Sequence, residues 1–135
     1  IGTAPVVPGT LVDSLAVYNA GIVLGIQCGL LCAVMISVNN IRDRKEDQTT
    51  GKRTLAVRLG EGKARAMAQA FIVAAYITLP TSRLWWIWIP SILLGGYLML
   101  LIRKTPADKS MNRLLALSSV HLILYLATYT ILPGN

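Results

Sequence analysis

Charge is missing from four long stretches of this chain, residues 15–38, 66–82, 84–102 and 114–133, and that absence restricts its possible folds more than any motif does. A charged side chain at mid-bilayer costs about 2.5–3.5 kcal/mol even on the most lenient insertion scale. Residues 15–38 are long enough to cross a hydrocarbon core of roughly 30 Å as a helix. Residues 66–82 are shorter and would cross with little tilt, while the other two stretches approach the usual length of about 20 residues. The reading is an all-α, multi-helix transmembrane bundle with about four transmembrane helices in this chain. A hydrophobic share of 54% against 14% charged residues excludes an ordinary soluble domain.

The connections are short. Only Pro80, Thr81, Ser82 and Arg83 separate the second and third spans, and a polar segment with Pro106, residues 103–113, separates the third and fourth. Connections of this length make neighbouring helices antiparallel. Residues 1–10, rich in Gly and Pro, read as the tail of an earlier helix followed by a loop, without the layout of a signal peptide.

Of the thirteen Lys and Arg residues, eight lie within residues 42–65 and four within 103–113, which leaves Arg83 alone on the other side. The positive-inside rule makes the basic face cytoplasmic and the chain a multi-pass protein of the inner (plasma) membrane. A net charge of +7 also invites a nucleic-acid reading. The basic residues flank membrane spans, however, and no aromatic platform for bases accompanies them, so no nucleic-acid partner is expected. Topogenesis and attraction to anionic lipid account for most of this charge. They do not account for the acids embedded in it.

Those acids belong to the run Asn39-Asn40-Ile41-Arg42-Asp43-Arg44-Lys45-Glu46-Asp47, at the end of the first uncharged span. Asn39, Asp43 and Asp47 recur every four residues and so drift only slowly around one helix face, with Asn40 close by. Two carboxylates so spaced repel each other, and a divalent cation between them would reverse that repulsion. The competing reading is a solvated charge cluster at the membrane surface. After Asp47 comes Gln48-Thr49-Thr50-Gly51-Lys52-Arg53-Thr54, in which Gly51 supplies a left-handed turn and Lys52 and Arg53 point back toward the carboxylates. Residues 55–60 form a short amphiphilic piece suited to lying on the interface as part of a cap, and Glu61 begins the next helix. Carboxylates with clustered cations suit a metal-bound diphosphate, and adjacent membrane helices suit a long apolar tail. A lipid diphosphate meets both demands.

The run NNIRDRKEDQTTGKRTLAVRLG, Asn39 to Gly60, resembles the second aspartate motif of the UbiA-type intramembrane prenyltransferases. It is most similar to the branch that prenylates 1,4-dihydroxy-2-naphthoate on the route to menaquinone, giving demethylmenaquinone. The resemblance covers essentially all of residues 1–135, as the carboxy-terminal part of a single transmembrane domain with a nine-helix fold; residues 39–65 are the cytoplasmic aspartate-motif and cap loop. The family's first aspartate motif is not in the chain, which begins at Ile1 inside what resembles the end of the fifth helix. The expectation is therefore half an active site, inactive alone and completed by an amino-terminal half of the same enzyme.

What the resemblance implies is Mg²⁺-dependent transfer of a polyprenyl group from its diphosphate to an aromatic acceptor. Loss of carbon dioxide and a proton then restores the aromatic ring. Carried over residue by residue, Asp43 and Asp47 are the catalytic pair that takes Mg²⁺, and Asn39 and Asn40 support it. Arg42, Lys52 and Arg53 serve diphosphate or carboxylate binding. Asn40 stands where the first motif has an aspartate, so this half carries fewer negative charges. Arg58 and residues 103–113 are candidates to close over the site. Within the same fold the alternative acceptors are hydroxybenzoate, homogentisate, haem or chlorophyllide. The CDP-alcohol phosphotransferases are set aside because their D-G-x-x-A-R opening does not occur. A transporter half with Asp43 and Asp47 as its ion site is disfavoured, because the acids lie at a helix end near water.

Other residues are read as structural. Cys28 and Cys32 share a helix face and pack, with no zinc or disulfide pattern. His121, the ionisable residue of the last span, is expected to hydrogen-bond a neighbouring helix, and Asn19 and Gln27 to act as interhelical glue. Trp85, Trp86 and Trp88 fit an aromatic belt at the interface. Gly25 with Gly29, and Gly95 with Gly96, allow close helix contact or room for an isoprenoid chain. Pro90 predicts a kink within the third span. Tyr125 and Tyr129 are placed either at the prenyl tunnel or in plain packing.

Overall fold

The computed structural model describes residues 11–77 and 85–131, with side chains for 18–77 and 86–130. Six α-helices and two 3₁₀ turns account for nearly all of them, and no strand occurs among the described residues. Helix α1 (Leu11–Arg42) is followed by α2 (Arg44–Thr49), α3 (Leu55–Leu59) and α4 (Glu61–Ile77). A 3₁₀ turn at Trp85–Trp88 leads into α5 (Ile89–Lys104), and a second at Lys109–Met111 into α6 (Asn112–Ile131).

Among the described residues three helical segments are long and apolar enough to cross a membrane: Tyr18–Arg42, Trp86–Lys104 and Lys109–Thr130. The span expected over residues 66–82 is not among them: of it the described residues include only 66–77, the later part of α4, whose first turns carry Glu61, Lys63 and Arg65. The outer end of that expected span, with the turn around Pro80, lies outside the described residues. Helix α1 is 32 residues long, or about 48 Å, and exceeds the hydrocarbon core. Its last turn holds Asn39 to Arg42, the start of the acidic motif.

Helix α1 packs chiefly along α4 and also against α6, while α5 lies against α4 and α6. Where α1 meets α4, the buried residues are Val34, Val38 and Ile41 on one side and Ala64, Ala68 and Ile72 on the other. Alanines let two backbones approach closely, which matters in lipid, where apolar burial alone does not drive helices together. A second cluster of Leu31, Ala75, Trp88 and Tyr125 fills the opposite end of the bundle. Hydroxyls within the helices satisfy themselves locally. Ser37, Ser118 and Thr128 each donate to the carbonyl four residues back, at 2.7, 2.8 and 2.8 Å, as side chains shielded from water must.

Arg65 fastens α4 to the end of α5. Its guanidinium donates to Glu61 Oε1 at 2.7 and 3.0 Å and to the carbonyl of Thr105 at 2.7 Å, and it also bonds the carbonyl of Ile102. These are terminal carbonyls of a helix, without a partner in the helix itself. Gln69 adds a bond from Nε2 to the Met99 carbonyl at 2.9 Å.

Two expectations are corrected. Pro90 does not kink the third span. It occupies the first turn of α5, where its missing N–H has no helical partner to lose and its fixed φ suits helix initiation. The belt reading fails for Trp88, which is buried and stacks 5.1 Å from the Tyr125 ring and 5.9 Å from Tyr129. Trp86 is exposed as a belt residue would be; the side chain of Trp85 lies outside the described residues.

His121 meets a neighbouring helix as expected. Its Nε2 lies 2.5 Å from the Tyr76 hydroxyl, which also donates to the Ser91 carbonyl at 2.7 Å and lies 2.8 Å from Ser91 Oγ. Helices α4, α5 and α6 are joined by this network at one depth. Gly95 makes it possible: a Cβ there would sit 3.1 Å from the Tyr76 ring and 3.2 Å from His121 Nε2. At Gly25, Gly29 and Gly96 a Cβ would meet nothing within 4 Å, so those three do not mediate close contacts here.

Candidate active site

The acidic motif straddles a break between two helices. Helix α1 ends at Arg42, Asp43 forms the joint with φ −91° and ψ 2°, and α2 begins at Arg44. The hydrogen-bond ladder nevertheless continues, from Asp43 N–H to the Asn39 carbonyl at 3.0 Å and from Asp47 N–H to the Asp43 carbonyl at 2.9 Å. Asn39, Asp43 and Asp47 thus keep near-helical spacing through the joint, as their periodicity in the sequence requires.

Arg42 organises one end of the motif. It grips Asp43 with Nε on Oδ1 at 2.6 Å and Nη2 on Oδ2 at 2.7 Å, the paired geometry that suits guanidinium to carboxylate. Nη2 also donates to Asn39 Oδ1 at 2.8 Å, and Nη1 to Asn112 Oδ1 at 2.7 Å, across 70 residues of sequence. The guanidinium hydrogen-bonded to Asp43 holds its carboxyl below the usual carboxylate range; partial burial acts in the opposite sense and loses.

Asp47 organises the other end. It is only 5% exposed, and Lys52 brings its Nζ to 3.4 Å from Oδ1. The turn that returns Lys52 needs Gly51, whose φ of +74° few side chains tolerate. It is closed by Lys52 N–H donating to the Asp47 carbonyl at 2.9 Å. Arg53 is exposed and enters none of the described hydrogen bonds or ion pairs. Asn40 is half-buried, with no described side-chain hydrogen bond. Helix α3, the expected cap piece, turns Ala56 inward against α1 and α4 and leaves Leu55, Arg58 and Leu59 exposed.

Three partners were not legible in the sequence. Asn112, in the loop expected to approach the site, is the acceptor that ties Arg42 to α6. Arg44 Nε and Thr54 Oγ1 flank the motif, buried and without a hydrogen-bond partner. A buried donor left unpaired costs about 1–3 kcal/mol.

The carboxylate and amide oxygens here are the hard donors that Mg²⁺ prefers. In number they fall short of a complete cage: among the described residues no group of three or more His, Cys, Asp and Glu is gathered to hold a metal ion. Magnesium commonly takes one or two carboxylates plus substrate phosphates and water, a role that Asp43 and Asp47 fit. The fit requires at least part of the Arg42 and Lys52 contacts to yield.

Comparisons with known proteins converge on one family. The profile of the UbiA prenyltransferase family matches residues 1–123. Three relatives carry the description 1,4-dihydroxy-2-naphthoate octaprenyltransferase. That from Escherichia coli (strain K12) is 40% identical over 52 residues, covering 38% of this chain and 17% of the relative. The Mycobacterium leprae (strain TN) protein is 40% identical over 62 residues, 46% of this chain and 21% of the relative. The Haemophilus influenzae protein is 51% identical over 37 residues, 27% of this chain and 12% of the relative. The matched stretches thus span about a fifth of these relatives' length or less. No solved structure gives a significant match. With a family profile matching most of its length over a membrane-suited helical bundle, the chain belongs to the UbiA prenyltransferase family.

Proposed function

We propose that this chain forms the diphosphate-binding half of an enzyme that transfers a polyprenyl group from its diphosphate to 1,4-dihydroxy-2-naphthoate. The observation that carries the reading is the pairing of Asp43 with Arg42 and of Asp47 with Lys52 at the emergent end of α1. Each acid there has a cation within 3.4 Å, and Arg44 Nε and Thr54 Oγ1 are left without a hydrogen-bond partner. The descriptions of the three relatives support the acceptor.

Asp43 and Asp47 are assigned to Mg²⁺, with Asn39 and Asn40 supporting them. When bound, the ion supplies positive charge to the phosphate oxygens. Arg42, Lys52 and Arg53 bind the remaining diphosphate oxygens and stabilise the negative charge that grows as the allylic C–O bond breaks and the diphosphate departs with its electron pair. The electron-rich ring carbon bearing the carboxylate then bonds the first carbon of the prenyl chain. Carbon dioxide and the carboxyl proton leave, and aromaticity returns. Arg42 has a double task in this reading. Anchored by Asn112 and Asn39, it neutralises Asp43 when no metal is held and turns to phosphate when one is.

By the positive-inside rule, the basic loops on the motif side support a site at the cytoplasmic face of the inner membrane. A second aspartate motif, from an amino-terminal half of the same enzyme, would complete the metal site. The test is prenyl transfer by the complete protein in membranes, with and without chelation of divalent ions. Product that forms only with Mg²⁺, and is lost in Asp43→Asn and Asp47→Asn despite normal insertion, is the expected result. Undiminished product after chelation, or from both variants, overturns the assignment.

A further inference from the structure

Between α4 and α5 lies an open apolar groove of about 370 Å³. Ile72, Val73 and Tyr76 line one wall and Ile92, Gly96 and Met99 the other. The α5 wall continues in register: Ile92, Gly96, Met99 and Arg103 follow at spacings of four, three and four, a single stripe along one helix face. Arg103 is exposed and enters none of the described ion pairs. From Ile92 to Arg103 the helix rises about 16 Å, close to one leaflet of a core of roughly 30 Å.

The side on which Arg103 emerges follows from contacts. Arg65 binds the Thr105 and Ile102 carbonyls, which places the end of α5 beside the start of α4. Arg42 binds Asn112, which places the start of α6 beside the end of α1. Arg103 therefore lies on the same side of the membrane as the acidic motif. Exposed Lys63 and Lys104 lie near it, while Glu61, the acid of that corner, is taken up by Arg65. The result is an apolar slot whose α5 wall, Ile92 to Met99, rises about 10 Å, with Arg103 one turn further along the same stripe and no ion pair described for it.

We propose that this slot holds an anionic phospholipid of the motif-side leaflet, one acyl chain lying between α4 and α5 and the phosphate on Arg103. An apolar slot open to lipid fills with hydrocarbon, because an empty one forfeits dispersion contacts on both walls. The guanidinium selects the headgroup, since Arg presents paired donors to phosphate oxygens. Gly96 keeps the slot open: nothing lies within 4 Å of a Cβ built there, so a larger residue enters the slot without striking backbone.

The test is lipid retention by the full-length protein that carries this chain. The protein is loaded in phosphatidylglycerol or phosphatidylcholine vesicles, extracted in mild detergent and weighed by native mass spectrometry. The expected result is retained phosphatidylglycerol that falls about fivefold in Arg103→Gln, the equivalent of one surface cation facing an anionic leaflet, and at least as far in Gly96→Leu. Arg113→Gln, a cation on the same side but off the stripe, leaves retention unchanged. Should Gly96→Leu misassemble, Ile92→Phe fills the other end of the slot and carries the same expectation. Equal loss in Arg113→Gln would reduce the effect to diffuse charge and overturn the proposal. So would equal retention of phosphatidylcholine, displacement of the lipid by a polyprenyl diphosphate, a change of oligomeric mass in Gly96→Leu, or a wild type that retains no lipid because another part of the protein covers the slot.

Discussion

The Arg42 guanidinium holds Asn112 and Asp43 at once, with Nη1 2.7 Å from the Asn112 amide oxygen and Nε 2.6 Å from the Asp43 carboxylate. The acidic motif at the end of α1 is thereby coupled to the first residue of α6. Removing the amide with Asn112→Ala leaves Arg42 on Asp43 without its cross-helix anchor. Prenyl transfer is expected to fall about tenfold, the worth of one charge-assisted hydrogen bond of ~1.5 kcal/mol. The loss should appear in kcat/KM for the diphosphate, while KM for the aromatic acceptor stays unchanged. Steady-state kinetics on the complete enzyme check this, with Asn112→Asp as the variant that restores an acceptor.

Arg65 satisfies two terminal carbonyls of α5 and is itself held by Glu61. Arg65→Ala strands those carbonyls near the membrane surface, and a loss of about 2–4 kcal/mol in stability is expected. Arg65→Lys recovers only part of it, because an ammonium cannot fork between two acceptors as a guanidinium does. Thermal unfolding in detergent, followed by helical circular dichroism, distinguishes the three proteins.

Adjacent glycines on α5 are predicted to respond in opposite ways. At Gly95 a methyl group would press on the Tyr76 ring at 3.1 Å and on His121, and crowding of that kind costs about 1–3 kcal/mol. At Gly96 a methyl meets nothing, so Gly96→Ala should keep the gain of about 0.5–1 kcal/mol that alanine brings to a helix interior. Parallel melting curves of the two variants decide it.

Asp108 accepts from the Ser110 N–H at 2.8 Å and starts the 3₁₀ turn that leads into α6. Hydrogen bonding from the Ser110 side chain and backbone holds its carboxyl below the usual range. A depressed carboxyl contributes stability that is fully present above its ordinary value and is lost as pH falls through the depressed one. The Ser110 amide should therefore keep its bonded chemical shift through mildly acidic solution and lose it only at lower pH. Asp108→Asn, whose amide oxygen still accepts but does not titrate, should show no such step in an NMR titration.

Three of the four expected spans could be read from charge alone because lipid excludes ions regardless of tertiary context. The left-handed turn at Gly51 was likewise visible, since the short return of Lys52 toward Asp47 needs a residue free of a Cβ. The Arg42–Asn112 bond was not visible: its partners are 70 residues apart, and nothing in the local sequence distinguishes Asn112 from other polar loop residues. Trp88 misled for a related reason. A run of tryptophans beside a turn resembles a belt, but the winding there leaves Trp86 exposed and carries Trp88 onto Tyr125 and Tyr129. His121 was recognisable as a residue needing a partner, whereas the identity of that partner, Tyr76, depended on α5, where Gly95 lets the side chains of α4 and α6 meet.

Because α1 runs unbroken for 32 residues and delivers Asp43 at its far tip, it behaves as a lever. A tilt of about 5° over a rod of about 48 Å shifts its tip by about 4 Å, more than the length of the contacts that hold Arg42 on Asp43. Helices longer than the local hydrocarbon thickness commonly lean to accommodate it. A change in membrane thickness would then move the acids sideways, against the grip of Asn112 on Arg42 and the packing of Val38 and Ile41 on α4.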